Sequence, residues 1–435
     1  MRLLPLVAIL FCSLGAAPGT SDAELSSLSH QLAQLKATHG ENEMRNAGPE
    51  LTPVKRALRV WVERQLPRRP PDSEDGSGNL LTKEDLAPLA AQINASLDTA
   101  GLTCGREGMP GYRCNTPADA SADFRGYLEH VSLGLLGGDR YLLVITGVGV
   151  SCGFDESAYV FEQRPDHSWH LLLTSERNDY ARDHYKPEHL IAVNVAPSVV
   201  AWNEAAPPPL IATLGYSPWC SSNWQLLYTR LWRASATTPT PAPILDRRDA
   251  LFRGGYFVAA ARLTAADLLV QYEGRSIDSG VSTRAHVLHY RIAAGDKLAR
   301  IGPVALDPQA FVEEWLTSDW SRARQWNERR SDDAMLARLH PPAPQSAEDI
   351  LFGDFDDSLR RCRADPSLWQ VAVTLDPNGA APRPPRYFMV RWMPPYRFTL
   401  VKAGYRAFAG CDEQVATPDD VGTLFPPQGW RADAP

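Results

Sequence analysis

Residues 141–152, YLLVITGVGVSC, and residues 210–220, LIATLGYSPWC, decide the fold. Each is an apolar run closed by a glycine, Gly147 or Gly215, with a cysteine five residues further on. Those cysteines, Cys152 and Cys220, stand 68 residues apart. A short apolar run bounded by turn residues reads as a strand buried on both faces. Two copies of one pattern read as an internal repeat of a β-hairpin.

Working outward, the chain divides into sets of four strand-like runs. Set one is Leu128–Leu136, Tyr141–Val150, Ala158–Gln163 and Trp169–Ser175. Set two is Leu190–Ala196, Leu210–Gly215, Gln225–Trp232 and Pro243–Arg247. Set three is Tyr256–Leu263, Leu268–Gly274, His286–Ile292 and Leu298–Val304. Set four is Ile350–Phe355, Trp369–Leu375, Tyr387–Trp392 and Phe398–Tyr405. In sets one to three a loop of roughly ten residues is expected between the second and third strands. First strands carry small residues, as in Val258–Ala261, and small residues suit blades that crowd near an axis. The expected fold is therefore mainly β: a β-propeller-like array of four or five four-stranded meanders, with a small helical N-terminal region. A fifth set would fall in residues 100–125. Tandem β-sandwich domains are the alternative.

The flanks have other patterns. Residues 1–23 have the layout of a secretory signal peptide, with Arg2, an apolar stretch to Leu14 and small residues from Gly15. Residues 24–100 read as helical around a Pro/Gly/Ser-rich linker at 67–79, with Val54, Ala57, Leu58, Trp61 and Val62 on one apolar face. Sets one to three occupy 101–306. An insertion at 307–345 opens with the helix cap Asp307-Pro308 and ends Pro-rich. Set four fills 346–412, and 413–435 is read as a tail. The mature chain is expected to be periplasmic or secreted.

Of seven cysteines, Cys12 lies in the leader, which leaves an even six. In an exported chain that predicts three disulfides. Cys104–Cys114 would be a local clip, Cys152–Cys220 would join neighbouring loops, and Cys362–Cys411 would tie the ends of set four. No Cys-x-x-Cys occurs, so a zinc ribbon or redox motif is not expected. The net charge of −7, with no long basic block, argues against nucleic acid. No stretch is apolar enough to span a bilayer.

Strand direction alternates in a meander, so the loops from strand two to three and from strand four to the next set leave on one side. Function usually sits on loops held by a rigid scaffold. That side collects Asp155, Glu176, Asn178, Asp179, Tyr180, Trp219, Asn223, Trp224, Arg275, Asp278 and Arg284, together with Glu156, Arg177 and His184. Aromatic faces beside Asn, Asp and Arg suit sugar rings or a peptide.

Other motifs lack the context their chemistry needs. Gly149–Gly153 matches Gly-x-Ser-x-Gly, but the helix required after a nucleophile elbow is missing from 154–163. His184 and His189, and His286 and His289, lack metal spacing, the second pair falling on opposite strand faces. Residues 350–358, ILFGDFDDS, resemble the first half of the GDxDxDG calcium loops of FG-GAP-type propeller repeats. Asp357 replaces the pattern's glycine and the downstream acids are missing, so a solvated acidic strand end is expected and no metal ligand is assigned. No cofactor loop is found. The expected function is a binding or scaffold module for an extracellular or cell-wall polymer or a partner protein. A glycan hydrolase using two of the carboxylates, or a structural envelope protein, are the alternatives.

Overall fold

The structure is a computed structural model that describes residues 18–37, 48–67, 81–103, 126–150, 153–164, 168–177, 187–196, 208–217, 222–235, 237–254, 259–278, 280–342, 351–356, 358–375, 384–393, 396–416 and 430–431. Three helices come first: α1 (Pro18–Ala37), α2 (Gly48–Gln65) and α3 (Lys83–Thr99). The Asp85 carboxylate accepts from the Thr82 backbone N–H at 2.8 Å, which fixes the start of α3.

Sheet one is the meander β1 (Ser132–Leu136), β2 (Tyr141–Val150), β3 (Gly153–Gln163) and β4 (Trp169–Ser175). Sheet two repeats it with β5 (His189–Val195), β6 (Leu210–Ser217), β7 (Trp224–Arg233) and β8 (Leu245–Phe252). Sheet three does so again with β9 (Ala259–Leu263), β10 (Asp267–Arg275), β11 (Thr283–Ala293) and β12 (Lys297–Arg300). Helices α4 (Pro308–Thr317), α5 (Trp320–Ala323) and α6 (Asp333–Leu339) follow. The Asp307 side chain accepts from Ala310 N–H at 2.7 Å and caps α4. Sheet four contains β13 (Gly353–Phe355), β14 (Ser358–Arg361), β15 (Leu368–Leu375), β16 (Arg386–Met393), β17 (Arg397–Gly404) and β18 (Glu413–Ala416). Finally β19 (Trp430–Arg431) joins the free edge of β5.

The protein is thus mainly β, built of four-stranded antiparallel meanders with a small helical region. No strand pairing joins sheet four to sheet one among the described residues.

Apolar side chains explain the layering. Strand β2 is buried along its whole length because both its faces are covered. Leu142, Val144 and Val148 share a core with Leu58, Trp61, Ile93 and Leu97 of the N-terminal helices. Leu143 and Ile145 face the other way and pack with Val193, Ile211 and Trp232 of sheet two. Sheet two's opposite face, with Ala212, Leu214 and Leu231, packs on Ala261, Val270 and Leu288 of sheet three. Sheet four packs against the second helical group around Phe311, Trp315 and Phe388. Period-two alternation therefore separates two cores, not core from solvent.

Two expectations about local structure are corrected. In set one the connection between strands two and three is the two residues 151–152, not about ten, because β3 starts at Gly153. The acidic stretch Asp155-Glu156 lies inside the strand, where the buried Lys55 ammonium meets Asp155 and the His189 ring meets Glu156. The expected tail after Asp412 begins with β18, held on β14 by backbone pairing, by the Arg361–Glu413 and Arg363–Asp412 ion pairs, and by the Cys362–Cys411 disulfide.

Candidate functional site

The Cys362–Cys411 disulfide is present as expected, at the edge of sheet four. Cys104, Cys114, Cys152 and Cys220 lie outside the described residues, as do Asn178, Asp179, Tyr180, His184 and Trp219. The remaining candidates fall into a buried group and an exposed group.

Asp155 has no exposed surface, and its Oδ2 lies 2.8 Å from Lys55 Nζ, which is equally buried. Its Oδ1 accepts from Glu188 N–H at 3.0 Å. The same lysine donates to the Arg177 carbonyl at 2.9 Å, so α2, β3 and the chain after β4 converge on one ammonium. Glu156 accepts from Leu190 N–H at 2.6 Å and faces His189 Nδ1 at 2.7 Å, which links sheet one to sheet two. Glu176 accepts from the buried Tyr159 hydroxyl at 2.8 Å. Burial, with Glu176 beside it, pushes the Tyr159 phenol well above its ordinary range. Arg177 donates to the Tyr228 hydroxyl at 2.6 Å and lies 4.8 Å from that ring's centre.

Arg284 is also engaged. It pairs with Glu313 at 2.8 Å and Glu314 at 3.3 Å on α4, joining sheet three to the helical layer. Asp278 is buried, accepting from Gly280 N–H at 3.0 Å and from Gln309 Nε2 at 3.3 Å. Desolvation pushes its carboxyl above the usual carboxylate range.

The exposed group collects at the predicted end of sheets two and three. Ser222 Oγ accepts from Trp224 N–H at 3.0 Å and turns the chain into β7. Asn223 is exposed, and its carbonyl accepts from Arg253 N–H at 2.8 Å. Trp224 is 37% exposed, with its ring 5.1 Å from Phe252, its cross-strand partner on β8. Arg253 follows, with its guanidinium 4.4 Å from the centre of the Tyr216 ring. On sheet three, Arg275 ends β10 and covers the Phe352 ring at 5.6 Å. Phe352 is 40% exposed and Val281 52%. The two sheets meet here, since a Cβ on Gly274 would come 2.9 Å from the Ala250 carbonyl. Asp278 pairs with Gly353 and brings Phe352 to the same end.

One recurrence was missed in the sequence. Glu129-His130 precedes β1, and Glu188-His189 opens β5. A Cβ at Gly147 would lie 2.6 Å from Glu129 Oε2, and one at Gly215 would lie 2.5 Å from Glu188 Oε1. Each repeat glycine is therefore the floor beneath a glutamate of its own sheet. Each histidine then reaches a carboxylate of the preceding layer, His130 to Asp98 at 2.9 Å and His189 to Glu156. The Glu-His dipeptide was the available signal.

The remaining motifs have plain settings. The Gly149–Gly153 stretch runs from strand to strand, since β3 begins at Gly153. His286 stacks on Tyr272 at 5.0 Å, whereas His289 bonds the Gly302 carbonyl at 2.6 Å on the other face. Asp356 is paired with Arg360 at 3.1 Å. Among the described residues, no group of three or more His, Cys, Asp or Glu side chains could hold a metal ion, and no helix is long and apolar enough to cross a membrane.

No family model matches the chain. No curated protein matches it. A solved structure of a BT0996 RGII complex is similar at 6% identity over 70% of this protein and 91% of that one, with a TM-score of 0.21. A likeness at that score carries no argument.

Proposed function

We propose that the chain is an exported binding or scaffold module, periplasmic or secreted, that recognises an extracellular or cell-wall polymer or a partner protein. In this reading its meanders are the blades of a propeller-like array. The face-to-face packing of sheets one, two and three supports that arrangement. The observation that carries the functional reading is the exposed Trp224–Phe252 pair on sheet two, at the same end of the stack where Arg253 and Arg275 are exposed on other sheet faces. A flat aromatic surface with polar groups at its rim binds sugar rings or extended peptides by stacking and directional hydrogen bonds.

Asp155 and Glu156 are engaged by Lys55 and His189, so they serve the joints between layers. The hydrolase alternative gains no observation from them.

The test is the melting temperature of the oxidised chain against cell-wall fragments, common glycans and divalent cations. A ligand at a hundred times its Kd adds about 2.7 kcal/mol to stability. A saturable shift with one polymer, lost in Trp224→Ala while the unliganded variant still melts cooperatively, is the expected result. No shift across the panel moves the reading to a protein partner or a structural role.

A further inference from the structure

We infer that the Trp224 end takes an acidic polysaccharide, a polymer carrying uronate carboxylates. This rests on the binding reading above and narrows it.

The inference starts from two cations. Arg253 and Arg275 are exposed, and among the described residues neither has a carboxylate partner. The chain has 51 acidic against 44 Lys and Arg side chains, so these two cations stand on a surface with no surplus of base. Elsewhere less exposed arginines are tied to acids, as Arg230 is to Glu188 within sheet two and Arg284 is to Glu313 between sheet three and α4.

Both guanidiniums also lie over aromatic rings, Arg253 over Tyr216 and Arg275 over Phe352. A ring beneath a guanidinium restrains it without using its in-plane N–H groups. Those edges remain free to hold a carboxylate in the two-bond geometry that arginine favours. Less side-chain freedom is then lost on binding. A neutral glycan would satisfy the aromatic surface and leave both edges unanswered.

Spacing supports a polymer over a single small anion. Arg253 follows the last strand of sheet two, and Arg275 ends the second strand of sheet three. Packed sheets lie about 10 Å apart. Two carboxylate sites at the same end of adjoining sheets, with Tyr216 under one and Phe352 under the other and the Trp224–Phe252 pair exposed at that end, match a chain of rings bearing repeated carboxylates.

Isothermal titration of the full oxidised chain tests this, with alginate, hyaluronan and polygalacturonate as probes, each also in a form whose carboxylates have been reduced to alcohols. At least one native polymer is expected to bind, with its reduced form at least tenfold weaker. The Arg253→Gln/Arg275→Gln variant is expected to lose that same factor on the native polymer and none on the reduced one. Trp224→Ala is expected to weaken both forms. Circular dichroism of the double variant should match the parent, since both arginines are exposed. Equal binding of native and reduced polymers, or native binding unchanged in the arginine variant, overturns the acidic assignment and leaves the binding reading standing. Binding of neutral glycans alone does the same. Binding of no polymer at all overturns the acidic assignment together with the polymer half of the binding reading, leaving a protein partner or a structural role.

Discussion

At Gly215 a single hydrogen side chain makes room for an ion pair. Glu188 lies where a Cβ would be, and both its oxygens accept from Arg230 Nη1 at 2.7 Å. Gly215→Ala should therefore push Glu188 off Arg230 and cost about 1–3 kcal/mol, the usual range for overpacking. Gly404 on β17 has nothing within 4 Å of an added Cβ, so Gly404→Ala is the matched control, expected within about 0.5 kcal/mol of the parent in urea unfolding. A second residue sets a pH dependence. Burial, with the Arg284, Arg247 and Arg300 cations nearby, holds the His286 imidazole well below the ordinary histidine range. Its folded value thus lies below the unfolded one of about 6.5, and the unfolded chain binds the proton more readily. The contribution is complete above that pH and lost as pH falls below it, at up to about 1.4 kcal/mol per pH unit. Stability of the parent minus that of His286→Gln should shrink between about pH 7.5 and 5.5. A constant difference would mean that the ring is not held neutral.

Among the elements, those that bury apolar runs were legible and those held by charge were not. All sixteen runs of the four sets contain or overlap an observed strand, because alternating apolar side chains on both faces leave a mark in sequence. The Asp307-Pro308 cap and the Thr82–Asp85 helix start were equally plain. Strand β18 was invisible, since Glu413–Ala416 carries no period and depends on Arg361 and the disulfide. The first half of β3 was hidden for a related reason: Asp155-Glu156 looks like solvent-facing loop until Lys55 and His189 are placed against it. Lysine at position 55, next to an apolar helical stripe, gives no hint that its ammonium will be buried. In the candidate site the exposed Trp224, Asn223 and Arg275 could be placed from strand direction alone, whereas Arg253 and Phe352 required the packing between sheets. The α2–β3 joint gives a direct test. Lys55→Met leaves a buried carboxylate without its cation and should cost about 3–5 kcal/mol. Adding Asp155→Asn removes that charge yet keeps an acceptor for Glu188 N–H, so the double variant should recover part of the loss. If it is no more stable than Lys55→Met alone, the two groups are not energetically coupled.

Across the whole molecule the layers divide the work. Sheets one to three each bury two faces, and a stack of such sheets needs a cover at its end. Helices α1, α2 and α3 provide it on sheet one, placing Leu58, Trp61 and Leu97 over Leu142, Val144 and Tyr159. Their apolar faces are thus engaged within the chain itself, with the Lys55–Asp155 pair fixing their position. The exposed aromatic end belongs instead to sheets two and three, beyond sheet one. Removing residues 18–103 should therefore expose a continuous apolar face on sheet one. Contiguous patches beyond a few hundred Å² drive association. The truncated chain is expected to elute as oligomers or aggregates in size-exclusion chromatography and to bind a hydrophobic dye that the full chain excludes. Replacing Leu142, Val144 and Val148 with threonine in the truncated chain should reduce that association, because strand propensity is kept while apolar surface is lost. A truncated chain that stays monomeric and dye-silent would show that sheet one needs no cover. The helices would then be free to serve a partner, and the structural-envelope alternative would gain the support that their packing now withholds.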